Sequence, residues 1–503
     1  MTLSETNLRP DEFTDAGNAA LFHSVFRDDF LFTGKSAVRG NWYHWDGQKW
    51  TVDNHAATRC AMQLAGAMLV QARERLAEAE EELTQVKAEL GAEGIKDLLT
   101  GDSKAAKTVL LDKQSAVKKA QNFVKHATKA NNVNGIEGML RLAKGMFYID
   151  HDLLDSAWNE INTPAGVVNL LTGDISPHAD IATRYKYHTK ITKCPPTDTG
   201  VEEWYSFLQA VTCQDDSMVC YLMMLFGMAA YGKVFEEGVY FALGAGSNGK
   251  STFFNAIMSV LNDYAGNVDI NVLTNTTMNK DPIIATMQGK RLIVAGELEE
   301  RKRLSPAVVK QISSTDPITV NPKYVDPITF IPSHTLTIYT NHLPNVDSRD
   351  KGTWRRIHIL PFNASFIGKD RKPNYADDLV VRCGGFIMRW IIAGAKLFAD
   401  NGFKMMAVPD AVAEATEAYQ ESEDWLQRFL DDCCILEDGA RSGAQMLYNT
   451  YAEWAKDGGD NPMNIKNFTT AMKASGFHQK TPGGKKEWCG IRVRPKVLSE
   501  YCS

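Results

Sequence analysis

The segment Val239-Tyr-Phe-Ala-Leu-Gly244-Ala245-Gly246-Ser247-Asn248-Gly249-Lys250-Ser251-Thr252 constrains this chain more than any other. It fits the pattern G-x-x-x-x-G-K-[ST]. An apolar run precedes it, and Phe253, Phe254, Ile257 and Leu261 follow at the spacing of a buried helix face. Glycines let backbone N–H groups wrap phosphate oxygens, and the start of the next helix adds positive potential there. Lys250 is placed to reach terminal phosphates, and Ser251 to offer a hydroxyl to a magnesium ion. A Gly-rich turn with a chance lysine would lack both flanks.

Further apolar runs at Arg291–Ala295 and Thr335–Tyr339 read as strands, and Thr252–Leu261 and Ala307–Ile312 as helices. Such alternation between Gly238 and Phe362 predicts an α/β sheet domain. Arg291-Leu-Ile-Val-Ala-Gly-Glu297-Leu-Glu299 is a buried-type strand ending in acids, which can hold a magnesium shell and polarise an attacking water. Glu297 is the candidate for the first role or both, and Glu299 comes second; a surface acidic turn is the bland alternative. The alternating strand ending at Asn341 brings an amide to its tip, able to orient water or read a γ-phosphate. Then come Arg355 and Arg356. An exposed arginine here is a candidate to neutralise charge on a nucleotide held by a neighbouring subunit, although paired surface arginines commonly form salt bridges.

Lys250, Glu297, Asn341 and Arg355/Arg356, in this order and compactness, resemble the superfamily 3 helicases of viruses, phages and plasmids. The resemblance is closest to the phage/plasmid primase–helicase group, related to the poxvirus primase–helicase. Asn162-Thr-Pro-Ala-Gly and Leu225-Phe-Gly-Met-Ala-Ala-Tyr-Gly232 look like that group's segments ahead of the motor. The resemblance implies a modified AAA+ P-loop NTPase core, ATP and Mg2+ as cofactors, and a homo-oligomeric ring, a hexamer, around single-stranded or forked DNA. It also implies a basic hairpin that grips DNA; here that region is 316–330, with Lys323 as the phosphate contact and Tyr324 as a stacking partner. Relatives often carry arginine near Asn321, and a purely structural hairpin is the alternative. Phe147-Tyr-Ile-Asp150-His-Asp152 and Ser176-Pro-His178 resemble primase-polymerase motifs: on a strand, the two aspartates would share a face. No third carboxylate strand is evident, so a separate primase or polymerase is the expected partner.

Five regions are expected: a mixed, mainly helical 1–145, a pre-helicase segment 146–215, the motor core 216–370, a helical extension 371–435 and a winged-helix module 440–503. Within the first, Asn41–Trp50 reads as a hairpin about Asp46-Gly47, and a lysine-rich helical stretch from Lys104 as a solvated face. Net charge is only −6, so any nucleic-acid surface must be local. From Lys466 to Lys496 there are eight Lys/Arg and one acid, Glu487, which makes Lys466, Lys473, Lys485, Lys486 and Arg492 the candidate DNA contacts. A protein-docking role is the alternative for that module. The opening residues show no secretory signal, and the longest apolar stretch, Val219–Tyr231, is short of the about 20 residues a bilayer needs. The expectation is a cytoplasmic, ATP-dependent DNA helicase of a mobile element. The rivals are an ATP-switched initiator that unwinds little and a small-molecule kinase.

Overall fold

The structure, a computed structural model, describes residues 3, 6–34, 40–100, 104–274, 278–298, 302–323, 326–346, 350–367, 372–457, 462–495 and 497. Its centre is a five-stranded parallel sheet in the order Ile357–Pro361, Val239–Leu243, Thr335–Thr340, Leu292–Gly296, Ala265–Asp269. Parallel strands need long crossovers, which cover both faces of a sheet, so strands Val239–Leu243 and Leu292–Gly296 are apolar, while buried Thr337 of the central strand donates its hydroxyl to the Ile293 carbonyl at 3.2 Å. Val239 and Phe241 point to one face with Ile293, Ala295, Leu336 and Ile338, against Val309, Ile312 and Trp354. Tyr240, Ala242, Leu292 and Val294 point to the other. That second face packs on helices Lys250–Leu261, Val201–Val211, Asp216–Ala229 and Tyr375–Asp400. The helices 216–229 and 375–400 cross at glycines: a Cβ on Gly394 would lie 2.0 Å from the Met223 carbonyl oxygen.

Two expected boundaries move. Helix Tyr375–Asp400 belongs to the core of the sheet domain, because its buried face (Ile387, Trp390, Ile391) packs there. The carboxy-terminal module begins at about 425. Leu426, Phe429 and Leu430 of helix Trp425–Cys433 share a core with Leu447, Tyr451, Phe468, Trp488 and Ile491. Its order is helix, strand Cys434–Gly443, helices Ala444–Asp457 and Ile465–Ala474, then strands Gln479–Lys480 and Glu487–Val493 in a three-stranded antiparallel sheet.

The amino-terminal region packs helix Asp15–Phe26 and the hairpin strands Gly40–Trp45 and Trp50–Val52 against the long helices Asn54–Thr100 and Lys104–Ala130. Asn162 ties this region to the sheet domain. It is fully buried; its Nδ2 donates to the carbonyls of Gln48 (2.9 Å) and Lys190 (3.0 Å), and its Oδ1 meets His178 Nε2 at 2.7 Å. Its backbone N–H donates to the Tyr264 hydroxyl at 3.0 Å. The motif at Asn162 is therefore a structural knot. Among the described residues, no helix is long and apolar enough to cross a membrane.

Candidate functional site

The site grows from the carboxy-terminal tips of three adjacent strands. Strand Val239–Leu243 runs into the loop at Gly244, and helix Lys250–Leu261 starts as the loop closes. Gly246 (φ 100°) and Gly249 (φ 81°) adopt left-handed backbone that side chains rarely tolerate. A Cβ on Gly244 would sit 1.9 Å from Asn248 Nδ2 and 2.4 Å from the Phe362 carbonyl oxygen, so glycine is required by close approach. Buried Asn248 braces the loop by donating to the Phe362 carbonyl at 3.1 Å, and the Phe366 N–H donates to the Ser247 carbonyl at 2.7 Å.

Lys250 is buried, with its ammonium in this frame. It donates to the Gly244 carbonyl (2.6 Å), Asn248 Oδ1 (3.0 Å) and Asn341 Oδ1 (3.2 Å). Burial pushes its pKa down to about 8. Strand Thr335–Thr340 pairs with both neighbours, Thr340 with Leu243 and Tyr339 with Gly296. This register brings Asn341 and Glu297 to the same rim. Glu297 has φ 52°, and its N–H donates to the Tyr339 carbonyl at 3.1 Å.

Residues Gly246–Thr252, Glu297 and Asn341 line a cavity of about 430 Å³. Phe207, Phe366, Lys372 and Tyr375 complete it, and these four escape a reading of motifs. They come from segments distant in sequence, and only tertiary packing brings them in. Tyr375 stands 5.8 Å from Phe207, ring to ring, with Lys372 Nζ 4.5 Å from its centre. Its hydroxyl donates to Glu203, which Arg382 clasps at 2.8 Å. An apolar, aromatic wall beside a ring of backbone donors and one ammonium suits a ligand with a flat apolar end and an anionic end.

The other expected residues separate. Glu299 and Tyr324 lie outside the described residues. Lys323 is exposed in the turn between the paired strands Ile318–Val320 and Ile328–Phe330. Arg355 and Arg356 differ sharply. The Arg355 side chain is 67% exposed, whereas that of Arg356 is 8% exposed. Arg356 donates to the Gly352 carbonyl at 2.7 Å and to Glu237. The expectation that either arginine could face a neighbour is corrected: burial commits Arg356 to its own chain. Lys466, Lys473, Lys485 and Lys486 are exposed, but Arg492 Nε donates to Glu437 at 3.1 Å, so its charge is engaged. Asp150 and Asp152 are on a turn, where Asp150 Oδ1 accepts from the Asp152 N–H at 3.2 Å. They do not share a strand face, and His178 is held by Asn162.

Two family models match this chain: "D5 N terminal like" over residues 19–213 and a family of unknown function (DUF5906) over 242–356. The second span begins within strand Val239–Leu243 and ends at Arg356. Among curated proteins, the chain is 26% identical over 370 residues to "Putative helicase L207/L206" of Acanthamoeba polyphaga mimivirus, covering 69% of this chain and 38% of that protein. It is 23% identical over 257 residues to "Putative primase C962R" of African swine fever virus (isolate Warthog/Namibia/Wart80/1980), covering 46% of this chain and 26% of that one. The chain thus spans less than two-fifths of these relatives' lengths. A solved structure titled "The A form apo structure of NrS-1 C terminal region-CTR" aligns over 60% of this chain and 77% of that one, at 14% identity and a TM-score of 0.38. In its D5 amino-terminal-like segment and in its viral relatives, named putative helicase and putative primase, this chain is similar to the primase–helicases.

Proposed function

We propose that this chain is an ATP hydrolase with a modified AAA+ P-loop core, working as a ring-forming DNA helicase in the replication of a phage, plasmid or other mobile element. One observation carries the reading: Lys250, Asn341 and Glu297 converge at one end of the sheet, while exposed Arg355 stands at the other. The register Ile357↔Val239 sets Arg355 beside the start of the P-loop strand, five residues before Gly244. Arg355 lies two residues earlier still, so at about 3.3 Å per residue it is more than about 20 Å along the strand direction from the phosphate end of its own cavity. An arginine so placed serves a nucleotide only in an adjoining copy. The central strand order, with the P-loop strand second and the Asn341 strand third, also fits an AAA+ core.

The residues suit ATP and Mg2+. The loop provides backbone N–H groups at the start of a 12-residue helix and a buried ammonium, the donor set a polyphosphate needs. Ser251 and Glu297 provide two oxygen donors on the same cavity, and magnesium usually takes one or two protein oxygens beside phosphates and water. Bound there, the ion would neutralise developing phosphate charge. Lys250 would exchange its bonds to Gly244 and Asn341 for phosphate oxygens. Asn341, so freed, would orient water or sense the γ-phosphate, and Glu297 would take the proton from that water. Phe207, Phe366 and Tyr375 would hold the base.

In this reading a hexamer in the host cytoplasm draws single-stranded DNA past the hairpin turn at Lys323 and engages forked DNA, with priming left to a separate primase or polymerase. The carboxy-terminal module would act as a winged helix, its helix Ile465–Ala474 turned to DNA with exposed Lys466 and Lys473 seven residues apart on one face. The test is ATPase activity with and without single-stranded DNA, followed by strand displacement on a fork. Stimulation by DNA and ATP-dependent displacement are expected. Hydrolysis that ignores DNA would overturn the helicase reading, and stimulation without displacement would favour an initiator.

A further inference from the structure

Two acids, Glu236 and Glu237, immediately precede the P-loop strand, where the neighbouring strand receives Arg355 and Arg356. One oxygen of Glu237, Oε2, serves both arginines. It accepts a close hydrogen bond from Arg356 Nη2 and a 3.2 Å bond from Arg355 Nη2. Glu237 is itself one-third exposed. The backbone is tied as well, since the Val239 N–H donates to the Arg356 carbonyl at 2.6 Å.

The three side chains do different jobs. Buried Arg356, anchored also on the Gly352 carbonyl, has no freedom to reach outward and fixes the carboxylate in place. The carboxylate cancels one guanidinium charge, so the trio retains a net +1, and the exposed member is Arg355. A long exposed arginine otherwise spreads over many rotamers, with side-chain entropy of about 2 kcal/mol. A single charge-assisted bond from Nη2 restricts that spread and leaves Nε and Nη1 uncommitted among the described residues.

We propose that Glu237 is a positioning residue that, locked by Arg356, aims the Arg355 guanidinium at the nucleotide of the adjoining copy. The inference rests on the reading of Arg355 as acting across a subunit boundary. Glu237 touches neither its own cavity nor the hairpin, so its effect should fall on turnover rather than on nucleotide capture.

The experiment compares ATPase kinetics of the full chain with those of Glu237→Gln, Glu237→Asp and Arg355→Ala, alone and mixed with Lys250→Ala subunits. Glu237→Gln keeps the shape and removes the charge. Its kcat should fall roughly 10- to 100-fold, the cost of a misplaced catalytic group, with KM for ATP within about twofold of the parent. Adding Lys250→Ala subunits, which carry an intact Glu237–Arg355 pair, should restore part of that kcat; a folding defect would not be restored. Glu237→Asp, which keeps the charge but withdraws it, should be intermediate and serves if the glutamine variant fails to fold. Full activity in either soluble variant, or a raised KM at unchanged kcat, would overturn the inference. If Arg355→Ala is itself fully active, or is not restored by Lys250→Ala subunits, the underlying subunit-boundary reading fails instead.

Discussion

The Lys250 ammonium donates to the Asn341 side-chain oxygen at 3.2 Å, joining two strand tips that lie 91 residues apart in the chain. With the loop carbonyl of Gly244 on its other side, the lysine is held before any ligand arrives. Preorganisation of this kind lowers the reorganisation needed when charge develops in a reaction.

Removing either partner should therefore separate binding from chemistry. Lys250→Ala is expected to abolish measurable nucleotide binding and hydrolysis. Asn341→Ala should bind nucleotide near normally yet lose about 100-fold in kcat, the usual scale for one preorganised polar group. Equilibrium binding of a fluorescent nucleotide beside steady-state ATPase checks both.

The two neighbouring arginines should fail in different ways. Arg356→Ala removes the buried guanidinium that bonds Glu237 and the Gly352 carbonyl and should cost about 2 kcal/mol of stability, seen as a lowered thermal midpoint. Arg355→Ala, at a position 67% exposed, should leave that midpoint nearly unchanged and reduce ATPase about 1000-fold. Calorimetry and ATPase on the same preparations separate them.

Asn162→Ala should loosen the joint between the amino-terminal region and the sheet domain. It removes side-chain bonds to Gln48, Lys190 and His178 and strands buried groups, for a loss of about 3 kcal/mol. Hydrogen exchange should rise around residues 45–50 and 186–192 before it rises in the central strands.

Acid sensitivity should trace in part to His334. Burial pushes its pKa down to about 4, against 6.5 when exposed. Between those values the unfolded chain binds the extra proton, so stability is lost as pH falls from 6.5 towards 4 and is fully present above that window. The contribution is on the order of 3 kcal/mol. His334→Phe should flatten this part of the curve in denaturant unfolding measured at each pH; an unchanged slope would remove His334 from the account.

In the carboxy-terminal module, Lys466→Gln with Lys473→Gln should reduce the salt dependence of duplex binding by about two phosphate contacts. Arg492→Gln should change it little, because Glu437 already engages that guanidinium.

The strand Val239–Leu243, the glycine-rich loop after it and the helix Lys250–Leu261 were legible because an apolar run, glycines and a buried helix face follow one another at fixed spacing. The strands ending at Glu297 and Asn341 were legible from their apolar runs, and Trp45↔Trp50 pairing followed from the Asp46-Gly47 turn. Strand Ala265–Asp269 was not, since its sequence Ala-Gly-Asn-Val-Asp has no periodicity and only the sheet edge makes it a strand. The difference between Arg355 and Arg356 was equally hidden: adjacent identical residues carry no signal of which one faces Glu237 from inside. Phe207, Lys372 and Tyr375 joined the cavity through packing of distant helices. The start of the carboxy-terminal module was missed because helix Trp425–Cys433 continues the helical pattern before it, and only its buried face shows which core it serves.

The central claim is that each nucleotide site is completed by Arg355 of an adjoining copy. Mixing Arg355→Ala with Lys250→Ala subunits over a range of ratios and measuring ATPase tests it most directly. Each variant alone should be inactive, and activity should appear in the mixtures, with a maximum at intermediate ratios where an intact cavity meets an intact arginine. Mixtures that co-assemble yet stay inactive at every ratio would contradict the claim.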